Sequence, residues 1–392
     1  MNPAPNPTHD GKTHAEDLRW LNLAARAGLR GFGRVEPNPL VGAAIVRDGV
    51  LLGLGHHRRF GERHAEPDAI DSAHHAGRST VGATMYVTLE PCAKPGRNPP
   101  CAEAVRAAGI SEVVYALADP NPLKRGGAEA LRALGIRARL SDASPFASGL
   151  AAPFVKRLTS PLPWVIAKWA QTIDGRIATR SGESKWISNA WARRRVHLLR
   201  GRVDAVLTGM GTVLADDPML TAREVPARRR AIRVVADSEL DLPITGNLVQ
   251  SARQTPVVAM YDQAFEHSEI LARKRAALEG AGVKLLPVPA AGSSRGVDLA
   301  AGLAMLRDRF GVATVLVEAG AGMLGSLFEH DLVDEARVYI APMLLGDDMA
   351  KSVAAGRVTE SLSSASRFML WHLATRGGDV ELTYRTRRGR PA

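Results

Sequence analysis

Four residues restrict this chain more than anything else in it: His64 and Glu66 in His64-Ala65-Glu66, then Cys92 after Leu-Glu-Pro and Cys101 after Pro-Pro. Thiolates and imidazoles are the donors that Zn²⁺ prefers. Side chains so far apart in sequence can hold one ion only if the chain between them folds back, so the pattern demands a packed domain. A structural zinc normally has four protein ligands, yet the chain contains only two cysteines. One histidine and two cysteines leave a position for water, which marks a catalytic site. Glu66, two residues from His64, is then placed to carry a proton between that water and a leaving group. Taken singly, His64 reads as an ordinary histidine, and Cys92 and Cys101 as buried thiols. Together and in this order they read as a metal site. His74 and His75 read as exposed helix residues.

The local patterns place these residues at the ends of elements. LVGAAIVRDGVLLGLGHH predicts a hairpin turning at Asp48-Gly49. A helix follows the tripeptide at 64–66 and runs to about His75. Residues 83–90 and 112–117 read as strands and 101–109 as a helix, whose N-terminus favours the thiolate of Cys101. A further helix closes at Gly135. Strands alternating with helices predict a three-layer α/β domain over 14–145, after a disordered tail at 1–13. A helix at 146–157 and the prolines of 159–163 make 146–163 a connecting segment. The remainder, 164–388, shows its own alternation, with strands at 164–170, 204–209, 231–236, 256–260, 283–288 and 313–318. Helices are expected near 188–200, 264–280, 298–310 and 322–330.

In this second domain Gly320-Ala321-Gly322-Met323-Leu324-Gly325 follows a strand and opens a helix, so its amides suit a pyrophosphate. The pattern is weak alone, because any strand-to-helix turn uses glycine. No acidic residue stands where a Rossmann ribose contact requires one, so a Rossmann domain is not predicted.

Composition narrows the partners. The chain has 392 residues, 45% of them hydrophobic, enough for two cores. No stretch is apolar for the roughly 20 residues of a membrane span. The first residues lack the apolar core of a signal peptide, and two cysteines make no disulfide framework, so a cytoplasmic location is expected. The formal charge of +11 favours anionic partners: nucleic acid, phosphorylated metabolites or a phosphorylated cofactor. Only 5% of residues are aromatic, which argues against a platform for stacking single strands. Arg193-Arg194-Arg195 and Arg228-Arg229-Arg230 read as solvated faces rather than binding patches.

The His-x-Glu, Pro-Cys and Cys pattern is that of zinc nucleobase deaminases. Further blocks, PNPLVGAAIV, GHHRRFGERHAE, GRNPPC and DPNP, followed by KWAQTIDGRIA, SGESKWIS, TGMGTVLADDPMLTAR and VEAGAGMLGSLFEHDLVDE, resemble the bifunctional deaminase–reductases of riboflavin biosynthesis over about residues 15–385. Deaminases of tRNA or cytidine space their cysteines as PCxxC. Here eight residues separate Cys92 from Cys101, as in the riboflavin family.

The resemblance implies a cytidine-deaminase-like domain followed by one resembling dihydrofolate reductase, with zinc and NADPH as cofactors. The implied substrate is a pyrimidine ribosylamino phosphate, deaminated and then reduced from ribose to ribityl chain, with no nucleic acid or membrane partner. It implies a homo-oligomer joined through the reductase domains. Asn38 and His57 are expected to hold the pyrimidine or ribose phosphate. Ala170, Trp186, Thr212, Asp216 and the loop Gly320, Ala321, Gly322, Met323, Leu324, Gly325 and Ser326 are expected at NADPH. Lys168, Ser184, Arg200, Leu220, Arg223 and Glu318 are expected at the substrate.

Departures from the family accompany these matches. Ala93-Lys94-Pro95 replaces the usual Ser-His or Asn-His pair, and Asn98 the usual threonine. Pro67 follows Glu66 and is expected to push it out of helical angles. The loop LKRGGAEA after DPNP looks shortened. These departures leave open a reductase with a degenerate or re-specialised deaminase domain in a branching pathway; the charge of +11 and the HAE…PC pattern suggest an RNA-editing deaminase, against which the cysteine spacing and the reductase blocks argue.

Overall fold

Asp48 and Gly49 both adopt positive φ, 51° and 72°, the geometry of a tight hairpin turn that leads β1 (Gly42–Arg47) into β2 (Val50–His56). The computed structural model describes residues 11–95, 99–292, 296–356 and 359–386. The chain divides into two compact units between Leu158 and Thr159, inside the expected connecting segment.

The first unit continues through α2 (Ala65–His75), β3 (Thr84–Val87), α3 (Cys101–Ala107), β4 (Glu112–Tyr115), α4 (Gly127–Ala133) and β5 (Arg137–Leu140). Its sheet runs β2-β1-β3-β4-β5, antiparallel through the hairpin and parallel from β3 to β5. Helices α2, α3 and α4 cover one face, where Ala69, Ala73, Val105 and Leu131 pack with Ile45, Met85, Val87 and Val113. Glycine on β2 permits this closeness: a Cβ on Gly55 would lie 2.2 Å from the Ala69 nitrogen.

The other face is covered by α1 (Gly11–Gly28), an element not foreseen; it starts within the span expected as a tail, and residues 1–10 lie outside the described residues. Its buried Trp20, Leu21, Ala24 and Ala25 explain why it folds. The segment from 145 breaks into two short helices, α5 (Pro145–Ser148) and α6 (Ala152–Thr159), rather than one.

The expectation for Pro67 is corrected: Glu66 lies inside α2, with His64 as its N-cap. Pro67 occupies the first turn, where its missing N–H has no intrahelical acceptor to lose, so the helix accommodates it.

In the second unit come β6 (Trp164–Gln171), β7 (Arg176–Ala178), α7 (Ala190–Arg200), β8 (Ala205–Gly209), α8 (Met210–Asp216), β9 (Ile232–Ala236), α9 (Asn247–Gln250) and β10 (Val257–Asp262). They are followed by α10 (Glu269–Gly280), β11 (Lys284–Val288), α11 (Leu299–Phe310), β12 (Thr314–Val317) and α12 (Ala321–Glu329). The unit ends with β13 (Glu335–Ile340), β14 (Lys351–Ser352), β15 (Phe368–Arg376) and β16 (Asp379–Thr386).

The nine-stranded sheet is ordered β11-β10-β9-β8-β12-β6-β13-β16-β15, parallel from β11 to β13 and antiparallel at the β13-β16-β15 edge. Successive strands after β8 build outward to β11, whereas the chain leaving β12 passes β6 to reach β13. Connections leaving in opposite directions make the carboxyl ends of β8, β12 and β6 a topological switch point, the place where open α/β sheets bind ligands.

Candidate active sites

In the first unit, three elements deliver one atom each to a common point. His64 caps α2, Cys101 is the first residue of α3, and Cys92 lies in the loop after β3. The His64 Nδ1 is 3.3 Å from the Cys101 Sγ and 3.7 Å from the Cys92 Sγ. All three ligand atoms lie within 4.8 Å of one another, the only such cluster of histidine, cysteine and carboxylate groups among the described residues. Tetrahedral zinc with bonds of about 2.0–2.3 Å sets its ligands at this spacing, so the donors fit that ion.

The Cys101 amide donates to the Cys92 Sγ at 3.4 Å, so the helix N-terminus steadies charge on sulfur. The hydrogen bond from the Cys101 thiol pulls Cys92 down to about 4, and the same bond raises Cys101.

A cavity of about 290 Å³ opens beside this cluster. Glu66 lines it, 3% exposed, and burial raises its carboxyl above the usual range. Asn38 and His57 meet there, with the Asn38 Nδ2 3.2 Å from the His57 Nε2. The other ring nitrogen of His57 hydrogen-bonds the Arg63 carbonyl at 2.9 Å, and burial holds its pKa below the ordinary value. Sequence reasoning missed Glu90, Lys94, Asp119, Asn121 and Lys124 on the same wall. The DPNP block, which contains Asp119 and Asn121, was the available signal. Ala93 and Pro95 flank Lys94 in the Cys92 loop, and Asn98 lies outside the described residues.

In the second unit three charged side chains lie together. Arg200, the last residue of α7, grips Glu318 with two bonds, Nε to Oε1 at 2.6 Å and an amino nitrogen to Oε2 at 2.9 Å. Glu318 follows β12, donating its amide to Leu207 and accepting the Thr208 hydroxyl at 2.7 Å, so its backbone is fixed against β8. Lys168 on β6 lies near both charges. Burial lowers its pKa, with Glu318 opposing. Burial alone would raise Glu318, but the Arg200 charge and hydrogen bonds hold it below the ordinary carboxylate range. Ala170, on the same face as Lys168, packs with Tyr339 and the α7 residues Ala192 and Val196.

Most of the other expected residues lie nearer solvent. Trp186 is 66% exposed and carries the Arg193 guanidinium 4.5 Å above its ring. Ser184 and Arg223 are exposed, and the Arg223 amide donates to His197 at 3.3 Å. Thr212 and Asp216 sit on α8, with Asp216 paired to Lys185 at 2.6 Å. Leu220 is buried, with φ 50°.

Gly320 caps α12, so the free amides of its first turn include those of Ala321, Gly322 and Met323. Leu324 instead points into the core, and Gly325 packs against the Ala355 carbonyl. Ser326 lies further along the helix, its carbonyl receiving His330. The arginine runs are committed to bracing: Arg195 pairs with Glu381, Arg229 with Asp204, and Arg194 donates to the Glu224 carbonyl.

Comparison with known proteins names what the geometry outlines. Residues 14–117 match the cytidine and deoxycytidylate deaminase zinc-binding region, and residues 163–380 match the RibD C-terminal domain. The chain is thus a zinc-dependent deaminase joined to an NADPH-dependent reductase.

It is 37% identical over 379 residues to the riboflavin biosynthesis protein RibD of Escherichia coli, covering 93% of this chain and 98% of that one. It is 36% identical to that of Aquifex aeolicus, covering 85% and 89%. A solved structure from Thermotoga maritima, named a diaminohydroxyphosphoribosylaminopyrimidine deaminase/5-amino-6-(5-phosphoribosylamino)uracil reductase, superposes with a TM-score of 0.72 at 30% identity, covering 95% of this chain and 99% of that one. The chain belongs to the RibD family of bifunctional riboflavin biosynthesis proteins. No helix among the described residues is long and apolar enough to cross a membrane.

Proposed function

We propose that the first unit removes the exocyclic amine of a diaminopyrimidinone ribosylamino phosphate and the second reduces the ribose of the product to a ribityl chain. The observation that carries this reading is the convergence of His64, Cys92 and Cys101 beside a cavity lined by buried Glu66. When bound, zinc makes water nucleophilic near neutral pH. Glu66 takes the proton of that water and delivers it to the departing amine, so that a C–O bond forms, the C–N bond breaks and ammonia leaves. His57 and Asn38, hydrogen-bonded to each other, orient the ring and its sugar.

When bound in the second unit, NADPH would supply a hydride for C1′ of the ring-opened ribosylamino imine, whose nitrogen takes a proton from solvent, leaving NADP⁺. Ala170, Trp186, Thr212, Asp216 and the 320–326 segment hold the cofactor, and the α12 amides suit its pyrophosphate. Lys168, Ser184, Arg200, Leu220, Arg223 and Glu318 hold the substrate. Arg223 offers a guanidinium to the ribose phosphate, while the buried pair of Arg200 and Glu318 orients Lys168. The reduced thiols and NADPH suit a cytoplasmic enzyme. A second copy is proposed to join through the reductase unit, where Leu370 and Leu373 are exposed on the edge strand β15.

The test follows ammonia and NADPH separately on the diamino substrate. Ammonia release without NADPH, and NADPH loss that follows it, is the expected result. NADPH loss only when deaminated substrate is supplied would favour the degenerate-deaminase reading instead.

A further inference from the structure

We infer that Lys94 and Lys124 form a cationic clamp at the solvent end of the deaminase cavity and bind the phosphate of its substrate. This inference rests on the functional reading above and assigns that substrate's charged end to Lys94 and Lys124.

The cavity is graded from dry to wet. His57 and Glu66 are each 3% exposed, Lys124 is half-buried and Lys94 is exposed, yet all four line one wall. The reacting ring carbon has to lie beside His64, Cys92 and Cys101. With the ring at that buried end, the far end of the substrate extends toward the two lysines that line the same cavity.

The lysines are held by a built framework. Both oxygens of the buried Glu90 carboxylate accept backbone amides, from Asp119 at 2.9 Å and from Ala128 at 2.8 Å, which pins both ends of the loop bearing Lys124. Inside that loop the Asn121 side chain accepts the Leu123 amide, and the Asn121 carbonyl accepts the amides of Lys124 and Arg125. Gly127 fastens the loop to the segment leading into Cys92: a Cβ there would lie 1.6 Å from the Pro91 carbonyl oxygen, so no other residue fits.

The Lys124 Nζ then donates to the Pro95 carbonyl at 3.0 Å, one residue beyond Lys94. An ammonium has three donors, and this bond engages one of them. Of the carboxylates on the wall, Glu90 is committed to amides and Glu66 lies at the buried end. Asp119 remains, with one oxygen accepting the Asn121 amide. Glu90 and Asp119 keep their charge, so the two lysines act as localised ammonium donors at the mouth rather than through a net positive field, and lysine binds phosphate as a point charge.

The experiment compares ammonia release from the ribosylamino phosphate and from its phosphate-free counterpart. It uses the full-length, zinc-loaded chain and its Lys94→Met, Lys124→Met and doubly substituted forms. Each single change is expected to raise KM for the phosphorylated substrate roughly tenfold and the double change roughly a hundredfold, with kcat held within about threefold. KM for the phosphate-free substrate stays the same. Added salt raises KM for the phosphorylated substrate in the parent chain but not in the double variant.

Equal losses on both substrates would show that the lysines only brace the loops or neutralise Asp119, and would overturn the clamp. Unchanged kinetics in the variants would overturn it too, while leaving the deaminase reading intact. No ammonia from either substrate with the parent chain would overturn the functional reading itself, and the clamp with it. Zinc content and NADPH turnover of each variant separate a misfolded protein from a specific loss.

Discussion

The two units assemble their sites in opposite ways. In the first, three ligand atoms and a buried carboxylate converge before any substrate arrives, and every one comes from the start of a helix or the loop after a strand. In the second, Lys168, Arg200 and Glu318 form a largely shielded charged cluster, whereas Ser184, Trp186 and Arg223, expected to serve the same unit's reaction, are exposed and come from two separate segments. A metal needs only a point of convergence, fixed to a few tenths of an ångström. A dinucleotide needs a long surface, and supplies much of the order itself when it binds. The first site is therefore sensitive to single atoms, and the second tolerates changes at its rim but not at its centre.

Substitutions sharpen that contrast. The largest effect is expected for Cys92→Ser: bound zinc, measured by elemental analysis, is lost and ammonia release falls to background, while reduction of deaminated substrate continues. Loss of reduction alongside would break the claim that the sites are separable.

Next is Arg200→Met, which strands the Glu318 carboxylate without its partner. Breaking a buried pair from one side costs about 3–5 kcal/mol, so denaturant unfolding of the second unit should shift accordingly while the first unit's transition stays in place.

Lys168→Met follows. Removing one charged contact is expected to slow NADPH oxidation by roughly 10- to 100-fold, read as kcat/KM on deaminated substrate. The pH profile adds a sign. Burial lowers the Lys168 pKa, so its proton leaves below the ordinary lysine range. The rate of the parent chain therefore falls as pH rises toward that lowered value, and Lys168→Met loses this limb.

The smallest effect is expected for Arg193→Ala, which removes the guanidinium stacked on Trp186. A cation–π contact at an exposed site contributes about 0.5–1 kcal/mol, so KM for NADPH should rise no more than about fivefold.

The same contrast explains what could be read from the chain. The metal cluster was legible because its residue types are rare and the elements around them are strongly patterned, as in the Asp48-Gly49 turn and the apolar stripe of α2. The convergence of Lys168, Arg200 and Glu318 was not legible as a pairing, because β6, α7 and β12 meet only through a sheet order that leaves no periodic trace.

The antiparallel edge escaped notice for a physical reason. On β13 and β16 the inward positions include Glu335, Glu381, Thr383 and Arg385, all buried, and the two glutamates and Arg385 join an ion network with Arg337. Alternation of apolar and polar residues therefore does not report burial there. Lys94 and Lys124 were visible as residues. Their shared cavity emerged only once Glu90 and Gly127 were seen to lock the two loops together.

The central claim is that each unit carries its own reaction, and Glu66→Gln tests it most directly. This change keeps the side chain's shape and leaves His64, Cys92 and Cys101 in place, so zinc should stay bound. Ammonia release from the diamino substrate is expected to fall by roughly 10²- to 10⁴-fold, while NADPH oxidation on deaminated substrate keeps its parent rate. Ammonia release that persists in the zinc-loaded variant, or a parallel loss of both reactions, would contradict the account.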